Sequence, residues 1–296
     1  MRQKTYRHFT ILMSNNKNGW LQMQNVASVT FSTCWYNFKC KFNCETYYHW
    51  IDNFLSNVNH YNLVVYSNEE SSLPLLKYLP NPRIRLIIKP HQEFYNYKYR
   101  DDWMRNHEIN TPLKDRIDWK VNMLWSEKIH FVHETKNNKY FNTDFYGWCD
   151  IGYFRCTPRD LSKHQLNNWA STSKLNELKR DKIYYALVNN DESFIEYLYN
   201  TVMNKNDVGL PILPIHPVQI SVAGGFFLTH KDNVEWWRNT YDERLSLYFQ
   251  HKYLVKDDQM IIIDCIFSNL SRFCLCKEEN EQYDNWFLFQ RFLMDS

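Results

Sequence analysis

The apolar positions of this chain recur with two different periods, and the alternation between them predicts its elements. Val26 to Cys34 forms a run dense enough for a buried strand. Tyr47, Trp50, Ile51, Phe54, Leu55 and Val58 then recur at helical spacing, so residues 45–58 are predicted to form a helix with one apolar face. Asn62 to Tyr66 predicts a second strand, Leu73 to Tyr78 a short helix stopped by Pro80 and Pro82, and Arg83 to Lys89 a third strand. Strand, helix, strand, helix, strand within ninety residues implies parallel pairing through right-handed crossovers, an α/β arrangement. Phe94 to Thr111 lacks a clear period and reads as a long polar and aromatic loop, either a lid or an insertion. Leu113 to Thr135 carries Ile117, Val121, Leu124, Trp125, Ile129 and Val132 at helical spacing, and Phe145 to Ile151 reads as the next strand.

The second half is less regular. Lys182 to Val188 predicts a strand and Glu192 to Met203 a helix, and Pro211, Pro214 and Pro217 mark an extended connector. Ala223 to Thr229 predicts a strand, followed by helices over Lys231 to Phe249 and Asp257 to Phe267. No Gly/Ser-rich linker, internal repeat or low-complexity run divides the chain, which reads as a single domain after a polar arm at residues 1–26.

Composition narrows the function classes. A net charge of +2 makes no general electrostatic case for nucleic acid or a membrane surface. No apolar run approaches the length of a spanning helix, and the stretch Phe9 to Met13 is too short for a signal core, so a cytoplasmic protein without a transmembrane segment is expected. The eight cysteines lack paired C-x-x-C spacing, which predicts reduced thiols rather than a zinc site. Aromatic residues make up 17% of the chain, more than a core needs, which leaves some to line a groove.

Glycine use is the sharpest clue. The chain has only six glycines, and four sit at two places: Gly147 and Gly152 in the segment Tyr146 to Arg155, and the adjacent pair Gly224-Gly225. The first segment puts Asp150 at the end of an apolar strand. In open α/β sheets ligands bind beyond the carboxyl ends of strands. An acid there either holds a divalent cation on a diphosphate or caps a turn. The glycine pair either admits a sugar or pyrophosphate close to the backbone or marks a bulge. Asp257-Asp258-Gln259 is either a helix cap with first-turn acids or a carboxylate and an amide aimed into a cleft. Lys128 and Arg116, on or near the long helix, either reach phosphates or lie on a solvated face. No G-x-G-x-x-G and no P-loop is present.

Taken in order, Asn122-Met-Leu-Trp125-Ser-Glu-Lys128-Ile, then Thr143-Asp144, then Trp148-Cys-Asp150-Ile-Gly152, then Ala223-Gly224-Gly225 and Asp257-Asp258-Gln259 resemble the HtrL/YibB-like glycosyltransferase family, over roughly residues 28–268. The resemblance implies an α/β fold of one GT-A-like domain over residues 27–296, with a mixed, mostly parallel sheet flanked by helices. A nucleotide-binding half is expected over about 27–155 and an acceptor half over about 156–296. It implies a nucleotide-sugar donor and a glycan or glycoconjugate acceptor. Asp150 takes the place of the family's metal-binding D-x-D motif, with Mn²⁺ or Mg²⁺ as cofactor. This chain has one acid there instead of two, so a second ligand is sought in Asp258 or His230, or the reaction proceeds without metal. Donor-binding roles fall to Thr33, Lys128, Asp150, Gly152, Gly224 and Gly225, and catalytic roles to Asp258 and Gln259. Two rivals stay open: a sugar-phosphate nucleotidyltransferase, which usually carries a glycine-rich loop that residues 35–39 lack, and a non-catalytic glycan- or nucleotide-sugar-binding protein.

Overall fold

The computed structural model describes residues 28–295, so the expected arm at residues 1–26 lies outside the described residues. Seven strands form one sheet: β1 (Val29–Trp35), β2 (Asn62–Ser67), β3 (Ile84–Ile88), β4 (Phe145–Cys149), β5 (Ile183–Leu187), β6 (Phe226–His230) and β7 (Phe273–Lys277). Their order across the sheet is β3-β2-β1-β4-β6-β5-β7. β1 pairs in parallel with β2 and β4, β2 with β3, and β5 with β7; β6 alone runs antiparallel, to both β4 and β5. The expected α/β fold with a mixed, mostly parallel sheet flanked by helices is therefore present.

The helices are α1 (Cys44–Leu55), α2 (Glu69–Ser72), α3 (Arg100–Ile109), α4 (Trp119–Asn137), α5 (Thr172–Glu177), α6 (Glu192–Met203), α7 (Val234–Gln250), α8 (Asp258–Ser268) and α9 (Leu288–Phe292). Side chains alternate across each strand, and the sheet buries a layer on each face. Phe31, Leu63, Phe226 and Leu228 pack with Phe54 of α1, Trp169 and Phe289 on one side. Tyr66, Trp148, Tyr185 and Phe227 pack with Phe131 of α4, Trp237 of α7 and Ile261 of α8 on the other. α4 is enclosed by the sheet, α3, α7 and the turn at Tyr95–Tyr99, which buries even its polar residues Asn122, Ser126, Glu127 and Lys128. Among the described residues no helix is long and apolar enough to cross a membrane.

Four expectations need correction. The stretch 94–111 is not a loop: a 3₁₀ turn at Tyr95–Tyr99 leads into α3. Its period was hidden because α3 buries little more than Trp103, which is fully enclosed against Phe249, and Asn106. The long helix begins at Trp119 instead of Leu113, because the Asp118 carboxylate accepts from the Lys120 N–H and caps it. β6 begins at Phe226, so the glycine pair lies before the strand instead of inside it. β7, a five-residue strand after α8, has no counterpart in the predicted elements.

Candidate active site

The order of the sheet reverses between β1 and β4: β2 and β3 lie to one side of β1, and β6, β5 and β7 beyond β4. Carboxyl ends of parallel strands at such a reversal open a crevice. Here the chain leaving β1 supplies Trp35, Tyr36, Phe38, Lys41 and Phe42, and the chain leaving β4 supplies Asp150, Gly152 and Arg155. Two adjoining cavities result. One, of ≈ 110 Å³, is lined by aromatic rings that include Trp35, Tyr36, Trp50 and Trp148. The other, of ≈ 330 Å³, is lined by Gly224, Gly225, Asp257, Asp258, Gln259, Asp284 and Trp286. Tyr47, Trp125, Lys128, Asp150, Gly152 and Arg155 line both.

The glycine pair explains how the acids come together. The antiparallel pairing of β4 with β6 continues one step past the strands, where the Asp150 N–H donates to the Gly225 carbonyl at 2.8 Å. A methyl group on Gly225 would lie 3.2 Å from Asp150 Oδ2. One on Gly224 would lie 2.9 Å from both carboxylate oxygens of Asp258. Each glycine is therefore a seat for one carboxylate. This revises the expectation that the pair simply faces a sugar, although both residues also line the larger cavity.

Lys128 reaches in from α4. Its Nζ donates to the Gly224 carbonyl at 2.9 Å and lies 3.2 Å from Asp150 Oδ1 and 3.1 Å from Asp258 Oδ2. Burial by itself would lower the lysine pKa, but the charges of Asp150 and Asp258 outweigh it and hold the ammonium above its ordinary value. The approach to Asp258 has ion-pair distance without hydrogen-bond alignment, so buried Oδ2 has no hydrogen-bond partner. Burial first of all, opposed by Lys128 and reinforced by Asp257 and Asp150, pushes the Asp258 carboxyl up to about 6. Asp150 also accepts from Trp148 Nε1 at 2.5 Å, which fixes its rotamer.

The remaining predicted residues divide. Gln259 lines the larger cavity beside Asp258, and Gly152 lines both cavities, its Cα pressed against Trp50 so that a methyl group there would lie 2.7 Å from the ring. Thr33 is fully buried within β1 and lines neither cavity; the neighbouring Cys34 and Trp35 do. His230 sits at the far end of β6, paired with Phe145 and 3.2 Å from Asp232, away from Asp150.

Two basic residues of the cleft escaped sequence reasoning. The Arg155 guanidinium lies 4.4 Å from the Trp50 ring centre, 5.0 Å from Phe287 and 5.3 Å from Phe42, and its Nε donates to the Gly152 carbonyl. Lys41 stands 4.8 Å over the Trp125 ring. Neither has a carboxylate partner among the described residues. Their signal was position: both follow carboxyl ends of strands that flank the reversal.

The divalent cation suggested for Asp150 does not fit these residues. Mg²⁺ and Mn²⁺ take oxygen ligands. The converging oxygens, from Asp150, Asp258 and Gly224, already surround the Lys128 ammonium. Among the described residues no group of three or more His, Cys, Asp and Glu side chains could hold a metal ion.

No family model and no curated protein matches this chain. Among solved structures it is similar to 4-diphosphocytidyl-2C-methyl-D-erythritol synthase from Anaerococcus prevotii, at 9% identity and a TM-score of 0.40, over 90% of this chain and 98% of that one. At this level the likeness carries no functional argument.

Proposed function

We propose that this protein is a glycosyltransferase of GT-A type, which moves a sugar from a nucleotide-diphosphate donor to a hydroxyl of a glycan or glycoconjugate. The observation that carries the reading is Asp258: a carboxylate buried beside a cavity of ≈ 330 Å³, with its pKa pushed up to about 6. Attack by a hydroxyl needs a base of near-neutral pKa to take the proton, and a carboxylate raised by burial meets that need. Arg155 and Lys41, on the same wall and without a carboxylate partner among the described residues, suit the negative charge that develops on a departing diphosphate. Gln259 and the glycine seats would shape the space for the sugar, and the aromatic cavity would take the nucleotide.

The nucleotidyltransferase reading is the rival to test. In that reaction the attacking group is a phosphate oxygen, which is already ionised at neutral pH and needs no base. Release of nucleoside diphosphate from UDP-, GDP-, ADP- and dTDP-sugars is the direct assay. Asp258→Asn is expected to lower turnover about 100-fold or more while leaving the fold intact. Full turnover in that variant removes Asp258 from the mechanism. Pyrophosphate release from a nucleoside triphosphate and a sugar phosphate would replace the glycosyltransferase reading with its rival.

A further inference from the structure

We propose that Lys128 is the resident cation of this cleft, and that its ammonium stands in the position a divalent metal ion would need, so that the site works without one. Three oxygens converge on a single point: Asp150 Oδ1 from the end of β4, Asp258 Oδ2 from the start of α8, and the Gly224 carbonyl ahead of β6. Nζ of Lys128 lies within 3.2 Å of all three. An ion bound to those oxygens at ordinary metal–oxygen distances of about 2.0–2.2 Å would collide with the ammonium.

The lysine cannot easily step aside. Its side chain is 8% exposed, and α4 is packed against the sheet, α3 and α7. Removing the ammonium would leave the buried Asp258 carboxylate beside Asp150 with no counter-charge, a costly arrangement. The glycine pair fits the same picture. Its missing side chains bring both carboxylates to within reach of one ammonium, which is compact and offers three donors.

With Lys128 committed to the two acids, the charge of a diphosphate must be met elsewhere. Arg155 and Lys41 line the larger cavity with it. Arg155 is fixed in place by three rings and the Gly152 carbonyl, which leaves its outer nitrogens free for bidentate contact with phosphate oxygens. This last step rests on the proposed function; the placement of the ammonium does not.

The test uses the full chain. Mn²⁺ is titrated into the protein alone and free Mn²⁺ is followed by electron paramagnetic resonance. Binding of UDP, GDP, ADP and dTDP is measured by calorimetry in EDTA and again in Mn²⁺. The expected results are an unchanged free-Mn²⁺ signal with wild-type protein and equal nucleotide affinity in both buffers, with Arg155→Ala weakening it about 10- to 100-fold. Lys128→Met, which keeps the bulk and removes the charge, is expected to take up Mn²⁺. Should that variant fail to fold, the wild-type titrations decide the question without it. Uptake of one Mn²⁺ per wild-type chain that Asp150→Asn abolishes would overturn the proposal, as would nucleotide binding that disappears in EDTA. If no nucleotide binds in either buffer while wild-type protein leaves Mn²⁺ free, the resident cation stands and the glycosyltransferase reading falls.

Discussion

Gly224 shows how much a single missing methyl group can decide. Any Cβ there meets both oxygens of Asp258 at 2.9 Å, and Asp258 is held from the other side by α8 and Lys128. Gly224→Ala is expected to displace the carboxylate and to cost about 1–3 kcal/mol in urea denaturation, with turnover lost as well. An alanine variant of unchanged stability and turnover would show that the seat is not needed. Asp258 itself makes a prediction in pH. Its pKa in the folded protein, about 6, exceeds the ordinary value of 3.8. The protonated carboxyl therefore favours the folded state: that contribution is complete below about 3.8 and is lost as pH rises through about 6. Relative to Asp258→Asn, wild-type protein is expected to lose about 3 kcal/mol of stability between about pH 4 and about pH 7. Denaturation of both proteins across that range measures it, and a constant difference would refute the shifted carboxyl. The proposed base acts deprotonated, so turnover is expected to fall about tenfold per pH unit below about 6.

At the scale of elements, α3 positions the segment that carries Asp257 and Asp258 although it lines no part of the cleft. Asn106 accepts from the Val255 N–H and donates to the Val255 carbonyl, both at 2.8 Å, and Asn110 donates to the Lys256 carbonyl at 3.0 Å. Asn122 of α4 reaches the same Val255 carbonyl at 3.3 Å. Three asparagines thus fix the short strand of chain that delivers Asp257 and Asp258 to the start of α8. Asn106→Ala is expected to cost about 1–3 kcal/mol and to lower kcat with little change in donor KM, which steady-state kinetics and denaturation check together. An equal rise in KM would place Asn106 in donor binding instead. These contacts also explain what could be read from the sequence. α6 falls on the predicted residues, Glu192–Met203, because its start is written locally by the Asp191 cap. α3 was hidden because its fixing contacts are polar and join residues about 146–149 positions apart. Lys128 stayed undecided between cleft and solvent because the answer depends on Asp150, Gly224 and Asp258, which lie far from it in the chain. The acids and glycines of the site were legible as unusual residues in a glycine-poor chain. Thr33 was misplaced because it lies inside the sheet, short of the carboxyl end of β1, where Cys34 and Trp35 are the strand residues that line the cavity.

For the whole molecule, the final segment closes both core and cleft. Phe289 stacks on Phe226 at 4.5 Å, Gln290 accepts from the Leu161 N–H and donates to the Tyr153 carbonyl, and Leu293 accepts from the Ser171 N–H. Asp284, Trp286 and Phe287 form part of the cavity wall. Phe289→Ala is expected to cost about 3–5 kcal/mol, and a chain ending after Tyr283 to lose both cooperative thermal unfolding and nucleotide binding. A truncated chain that melts like the full one would show that the segment is peripheral. The sheet joins what the sequence divided into donor and acceptor halves: β6, from the second, pairs directly with β4, from the first. The cage around Arg155 draws on a still longer stretch of chain, with Phe42 after β1, Trp50 on α1 and Phe287 after β7. It gives the protein an optical reporter of its own. A polyanion bound to the caged guanidinium would change the charge beside the Trp50 indole and so the emission of that ring, and intrinsic fluorescence can follow occupancy of the cleft without a label.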